Sequence, residues 1–346
     1  MNIIRRFSIL FVFILAACAP FTASAHEVYV LTPAEISSAV SMPSPNPFTA
    51  IPSHELQFLL WGAISAVAIL VALAISVSKL FERIFDPLLM RLKKYAPLIG
   101  RLTLGISLLA SGYYHALFGP ELPLSQLVGS AAGPLSVALM VLGTLIVLGF
   151  YTRWMAGIAL CIFALAVFQD KAYMLTYANY LGEIILSLIL GSGAYSFDWI
   201  ISKNKKPGRI AAAWEPYGFL VLRVFYGTAV FFASFYAKFL HSNLALYTVN
   251  DYHLTNYFHF TPLFLVLGAF IVEALLGICF ATGFEIRMAA LFFTFFLTLS
   301  LLFFGEVVWP HIVLFGVNIA LFCHGYDRYT LEYALFERKR KGEPVL

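Results

Sequence analysis

Nine stretches of this chain are apolar over lengths that suit a helix crossing a bilayer: Leu56–Val77, Leu98–Phe118, Leu135–Tyr151, Met155–Phe168, Leu175–Gly193, Phe219–Leu240, Leu263–Ala281, Met288–Phe304 and Ile312–Cys323. Crossing about 30 Å of hydrocarbon takes about 20 such residues, and some of these stretches are shorter. Charged residues make up 12% of the chain and hydrophobic ones 61%, whereas a soluble domain carries about 25% charged residues. Lipid must therefore be the solvent for most of the sequence. The expected fold class is an all-α integral membrane protein with about nine transmembrane helices after a signal peptide. The lipid bilayer is its first partner. The net charge of +4 is not gathered into a basic stripe, so nothing points to nucleic acid.

Residues 1–25 read as a secretory signal, with Arg5 and Arg6 as its basic start, Phe7–Ala17 as its apolar stretch and Ala23-Ser24-Ala25 as its cleavage site. Cleavage there leaves His26 first. A second cut, before Cys18, fits equally, because Leu15-Ala16-Ala17-Cys18 resembles a bacterial lipobox. Either cut puts the next segment outside the cytoplasm. Residues 26–54, rich in proline, then form an extended periplasmic arm, and 55–80 the first span. Threading the remaining spans from that start places eighteen of the 22 Lys and Arg in cytoplasmic segments. Only Lys171 and Lys238 fall outside, and the other two belong to the signal. That asymmetry is what the positive-inside rule requires of an inner-membrane protein with its C-terminus in the cytoplasm.

Three patterns recur along the chain. Arg101-x-x-x-Gly105 is echoed by Arg223-x-x-x-Gly227, Gly149 to Arg153 by Gly283 to Arg287, and Tyr195-Ser196-Phe197-Asp198 by Tyr329-Thr330-Leu331-Glu332. These echoes divide the chain into a four-helix unit at 98–198, a cytoplasmic linker at 199–215, a second unit at 216–332 and a basic tail at 333–346. Four spans per unit return the chain to its starting side, so the repeat is parallel rather than inverted.

At these positions the sequence resembles the DoxX family of four-helix membrane proteins, here in tandem with one extra N-terminal span. The resemblance is carried by Arg223 and Gly227 opening a unit, Lys238 closing its first helix and Glu273-x-x-x-Gly277 in its second. The Gly283–Arg287 turn and the Tyr-Ser-Phe-Asp type of ending complete it. Some members of that family are similar to the membrane subunit of thiosulfate:quinone oxidoreductase, and others are tied to membrane redox complexes. The resemblance thus implies an electron-transfer setting, with quinone as ligand and a redox partner subunit. The first unit departs from the pattern, with Ala116 where the second has Lys238 and Leu139 where it has Glu273.

An ionisable side chain in mid-membrane costs about 2.5–3.5 kcal/mol even on the permissive insertion scale, so each one needs a partner or a task. Glu183, Glu273 and Lys238 are the candidates. An ion pair of Lys238 with Glu273 would neutralise both and fix how two helices pack, serving either as structural glue or in handling protons or a ligand. Tyr236, His241 and His311 are placed beside that pair as walls of a quinone pocket. Tyr113, Tyr114 and Trp309, near span ends, suit either headgroup anchors or the same pocket. Seven of the eight histidines fall on the outer side, and His26, His253 and His259 among them would suit copper or haem; they serve equally as solvated loop residues. No Cys-x-x-Cys-His for covalent haem occurs, and Cys18, Cys161, Cys279 and Cys323 form no Cys-x-x-Cys pair. Hydrolase elbows, Walker loops and dinucleotide fingerprints are also missing from the sequence.

The functional expectation is a membrane component of a periplasm-facing redox system, with a small-molecule or metal permease and a structural assembly subunit as rivals. The topology predicts that alkaline phosphatase fused at Asn243 is active and a cytoplasmic reporter there is silent; the reverse result would overturn the threading.

Overall fold

The computed structural model describes residues 31–78, 88–89, 91–169, 173–193, 195–201, 213–305, 309–331 and 333–337. The signal segment with Cys18, His26, Lys171, the cations at 203–209 and the end of the basic tail lie outside the described residues. The main helices are α1 (Pro33–Ser41), α2 (Glu55–Ser78), α3 (Ala96–Tyr113), α4 (Ala132–Leu148), α5 (Thr152–Gln169), α6 (Ala178–Leu190), α7 (Gly218–Ser234), α8 (Ser242–Asp251), α9 (Pro262–Thr282), α10 (Ile286–Phe304) and α11 (Pro310–His324). No β-strand occurs among the described residues; only an isolated bridge joins Ala116 to Pro123.

Among the described residues, six stretches are long and apolar enough to cross a membrane: Glu55–Ala74, Leu124–Leu148, Tyr173–Leu190, Glu215–Leu240, Pro262–Thr282 and Ile286–Phe304. Thr152–Phe168 and Pro310–His324 are apolar but shorter, and α3 carries Arg101 within its 18 residues. The chain is a multi-pass helical protein built for a lipid environment.

Helix pairs form where glycine lets backbones touch. A side chain added at Gly105 would collide with the Gly143 carbonyl across α3 and α4, and one added at Gly227 with the Gly277 carbonyl across α7 and α9. Lipid tails are as apolar as leucine, so membrane helices associate through such close contact rather than through the hydrophobic effect. A second set of contacts joins these pairs. Gly182 of α6 packs on Leu222 and Phe225 of α7, and Gly316 of α11 packs on Thr103 of α3. α3, α6, α7 and α11 thereby surround the centre of the molecule, each touching its neighbours.

One end of the bundle is stapled by arginine. Helix C-termini leave carbonyls without intrahelical partners, and buried or half-buried guanidinium groups donate to them here. Arg153 donates to the Leu188 and Ile189 carbonyls of α6 at 3.2 and 3.1 Å, and Arg287 to the Phe322 carbonyl of α11 at 3.0 Å. Arg223 reaches the Ala281 carbonyl of α9 at 2.5 Å and that of Tyr329 at 2.6 Å. Its counterpart Arg101 donates to the carbonyls of Ser192 and Tyr195. The left-handed caps Gly149 (φ 69°) and Gly283 (φ 68°) end α4 and α9 beside these arginines, in a conformation that glycine adopts without steric cost. Past α11, burial raises the Asp327 carboxyl, but hydrogen bonds from His324 and the Tyr329 amide outweigh it and hold the group below its usual range.

The arm before α2 is folded where the sequence reads as extended chain. Thr32 and Glu35 form a reciprocal capping box, and a proline in the first turn preorganises α1. The arm lies on the end of the bundle away from the arginines. The Ser242 hydroxyl donates to the Pro45 carbonyl at 2.6 Å, the Asn243 amide reaches carbonyls of 39–43, and Phe48 stands edge-on to Phe239 and Phe270. α2 turns Leu56, Leu59, Ile64 and Leu70 outward. It meets the bundle through Trp61, whose ring packs against Phe260 and Phe264 at 5.2 and 5.1 Å.

The Gly227–Gly277 contact predicts that Gly277→Leu lowers thermal stability in detergent by about 1–3 kcal/mol, the usual cost of overpacking. Gly62→Ala, at a position where an added carbon meets nothing within 4 Å, should not lower thermal stability and, inside a helix, should raise it by up to about 1 kcal/mol.

Candidate functional site: a buried ion pair in an aromatic cavity

Lys238 lies on the face of α7 marked by Tyr226, Val230 and Ser234, each four residues from the next and all buried. It occupies a π-helical turn, Phe235–Leu240, that prolongs the helix, and such widened turns often occur at functional sites. Side chains on a helix lean towards its N-terminus, so the lysine stem runs back into the bundle. Glu273 meets it from α9, one turn from Gly277, where the two backbones touch. Lys238 Nζ lies 3.0 Å from Glu273 Oε2, and both side chains are more than nine-tenths buried. The structure therefore brings together the two charges that the sequence pairs.

The pair lies in the wall of a cavity of about 730 Å³. Tyr236 and His311 line it too, as the sequence suggests. His241 stands just behind, its ring 4.7 Å from that of Tyr236, and burial holds its imidazole below the usual range. Phe58, Trp61, Gly62 and Ser65 of α2 contribute one side, and Phe264 to Val272 of α9 another. The Phe48 contacts to Phe239 and Phe270 set the arm beside the ion pair.

Glu121, Tyr173, Tyr177 and Asn179 line the cavity as well and are among the residues that went unnoticed in the sequence. Glu121 Oε1 accepts hydrogen bonds from the hydroxyls of Tyr173, at 2.9 Å, and Tyr177. Tyr173 also packs edge-on to Tyr236, joining the two groups of polar side chains. A lone acid in a loop carries no sequence signal. The spacing of Tyr173, Tyr177 and Tyr180, three rings along one face of a helical segment, was the available clue.

Other candidates lie elsewhere. Glu183 is fully buried on α6 and bonds to Thr103. His253 and His259 are exposed, and no group of three or more His, Cys, Asp or Glu able to hold a metal occurs among the described residues. Tyr114 stacks on Trp309 at 4.7 Å, and Tyr113 and Tyr114 stay exposed. The cysteines at 161, 279 and 323 are free.

Removing one member of a buried pair strands the other charge at a cost of about 3–5 kcal/mol, whereas replacing both is often nearly neutral. Lys238→Met and Glu273→Gln are each expected to lower stability and yield of folded protein, and the double variant to recover most of it. Additive losses in thermal unfolding would show that the two groups do not act as a pair.

Compared with models of known families, with curated proteins and with solved structures, the chain matches none.

Proposed function

We propose that this chain is a nine-span protein of the bacterial inner membrane that binds a quinone on its periplasmic side, as the membrane component of a redox system. In this reading the mature N-terminus is outside and the C-terminus cytoplasmic. The two sets of recurring contacts correspond to tandem DoxX-like units, of which only the second keeps the charged pair. The observation that carries the proposal is the Lys238–Glu273 pair in the wall of an aromatic cavity.

Ligand sites are typically concave, mostly apolar and about 300–1,000 Å³ in size, with a few convergent polar groups. The cavity fits that description. Its apolar wall suits a flat ring and the start of a lipid tail, and Tyr173, Tyr236 and Trp61 offer faces against which a ring can stack. The Lys238 ammonium is a charged hydrogen-bond donor in the cavity wall. A quinone carbonyl is the acceptor that such a group would polarise. Reducing a quinone to the quinol takes two electrons and two protons. Glu273, Glu121 and His311 are the cavity groups able to hold those protons, and a redox partner subunit would exchange the electrons. α2 has lipid-facing residues along its length and forms one wall, giving a lipid-soluble molecule a lateral route into the site.

Purified protein titrated with a short-chain ubiquinone should show saturable quenching of tryptophan fluorescence. Tyr236→Ala should weaken that binding at least tenfold, about 1.4 kcal/mol, and Lys238→Met more. Equal affinity in wild type and both variants, or no saturable binding, would refute the quinone reading.

A further inference from the structure

We propose that Glu183 is a second functional site, an intramembrane proton-binding carboxyl that exchanges its proton with the cavity by way of Asn179. Asn179, Glu183 and Ser187 follow one another at four-residue intervals on α6 and so form a single stripe, and their exposures are 3%, 0% and 3%. Asn179 lines the cavity; the other two lie progressively deeper. Glu183 Oε1 accepts a hydrogen bond from the Thr103 hydroxyl at 2.7 Å. Among the described residues, Glu183 Oε2, Asn179 Oδ1 and Ser187 Oγ have no hydrogen-bond partner.

A second stripe descends from the same cavity on α11. His311 and Leu314 line it, and Asn318, one turn deeper and fully buried, has no partner for either Oδ1 or Nδ2 among the described residues. The Tyr226 hydroxyl of α7 donates to the Leu314 carbonyl of that stripe at 3.0 Å. Tyr180, three residues before Glu183 on α6, is committed to Ser107 at 2.5 Å and the Phe118 carbonyl at 3.0 Å.

Five polar atoms without partners along two stripes are far from the rule that buried polar groups are satisfied. Such groups are commonly bridged by internal water, each molecule making about three hydrogen bonds. A buried carboxyl with a hydroxyl partner and no paired cation costs least when neutral. Water bridging Asn179 and Glu183 would supply the connection. A proton donated by a hydronium in the cavity forms the O–H bond at Glu183 Oε2 as an O–H bond of the bridging water breaks, and it returns by the reverse path. The site is independent of which molecule fills the cavity.

Infrared spectra of the full-length protein in detergent, recorded after transfer to deuterated buffer, test this. The wild type should show a carboxylic-acid carbonyl band that shifts on deuteration and that Glu183→Gln removes. Asn179→Leu should slow the deuteration shift at least tenfold, while Cys161→Ala, on the exposed face of α5 away from cavity and stripe, should leave its rate unchanged. Should Glu183→Gln fail to fold, Thr103→Val serves instead, because losing that hydrogen bond must move the band. The proposal is overturned if no band responds to these substitutions, if sodium ions abolish it, or if Asn179→Leu exchanges at the wild-type rate. Ubiquinone titrations of the same samples report on the cavity separately, so failure of either reading can be told from failure of the other.

Discussion

At Gly227 and Gly277 two helices touch backbone to backbone, and much of what surrounds them follows from that contact. Packing between lipid-embedded helices rests on closeness, because apolar side chains gain nothing by leaving lipid for one another. With the backbones in contact, one turn along α9 brings Glu273 to the level that the Lys238 stem reaches from the far end of α7. A larger residue at either glycine would separate the helices. The carboxylate and ammonium would then face each other across a gap in low dielectric, where neither is tolerated alone.

The ion pair gives the bundle a polar centre that packing alone would not require. Replacing a buried pair by well-fitted apolar residues is commonly neutral or stabilising, and this chain contains that replacement. The α3–α4 contact repeats the α7–α9 contact at Gly105 and Gly143, yet Ala116 and Leu139 stand where Lys238 and Glu273 do, both buried. The same close approach therefore holds with and without the charges, which makes the pair a feature of the cavity more than of the fold. His311 and Tyr177 occupy corresponding places in α11 and in the turn before α6, and both face the cavity. The site is thus assembled from both halves of the chain although only one supplies the ion pair.

The arginine contacts at the opposite end show how a topological signal becomes structure. Arg153, Arg223 and Arg287 donate to carbonyls in the last turns of α6, α9 and α11, where the helix dipole is negative. Basic residues gathered at one end of the bundle thereby close helix ends.

The sequence by itself determined the helical, multi-pass character of the chain, because runs of apolar residues in lipid can satisfy their backbones within a helix. It also singled out Lys238 and Glu273 as partners, since two lone opposite charges in neighbouring spans have few other ways to be neutral. It named Tyr236 and His311 beside them from their nearness to span ends. Glu121 and Asn179 were not legible and Tyr173 and Tyr177 showed only as rings on one helical face, because all four lie more than fifty residues from Lys238 and reach the cavity only through the packing of α6 on α7 and α11 on α3. The sequence marked Glu183 as costly but could not say what met it. Only the tertiary structure decided that it meets a threonine hydroxyl among the described residues and that a polar stripe leads from it to the cavity. Spacing along a helix fixes which residues share a face, but what that face meets depends on how the helices pack.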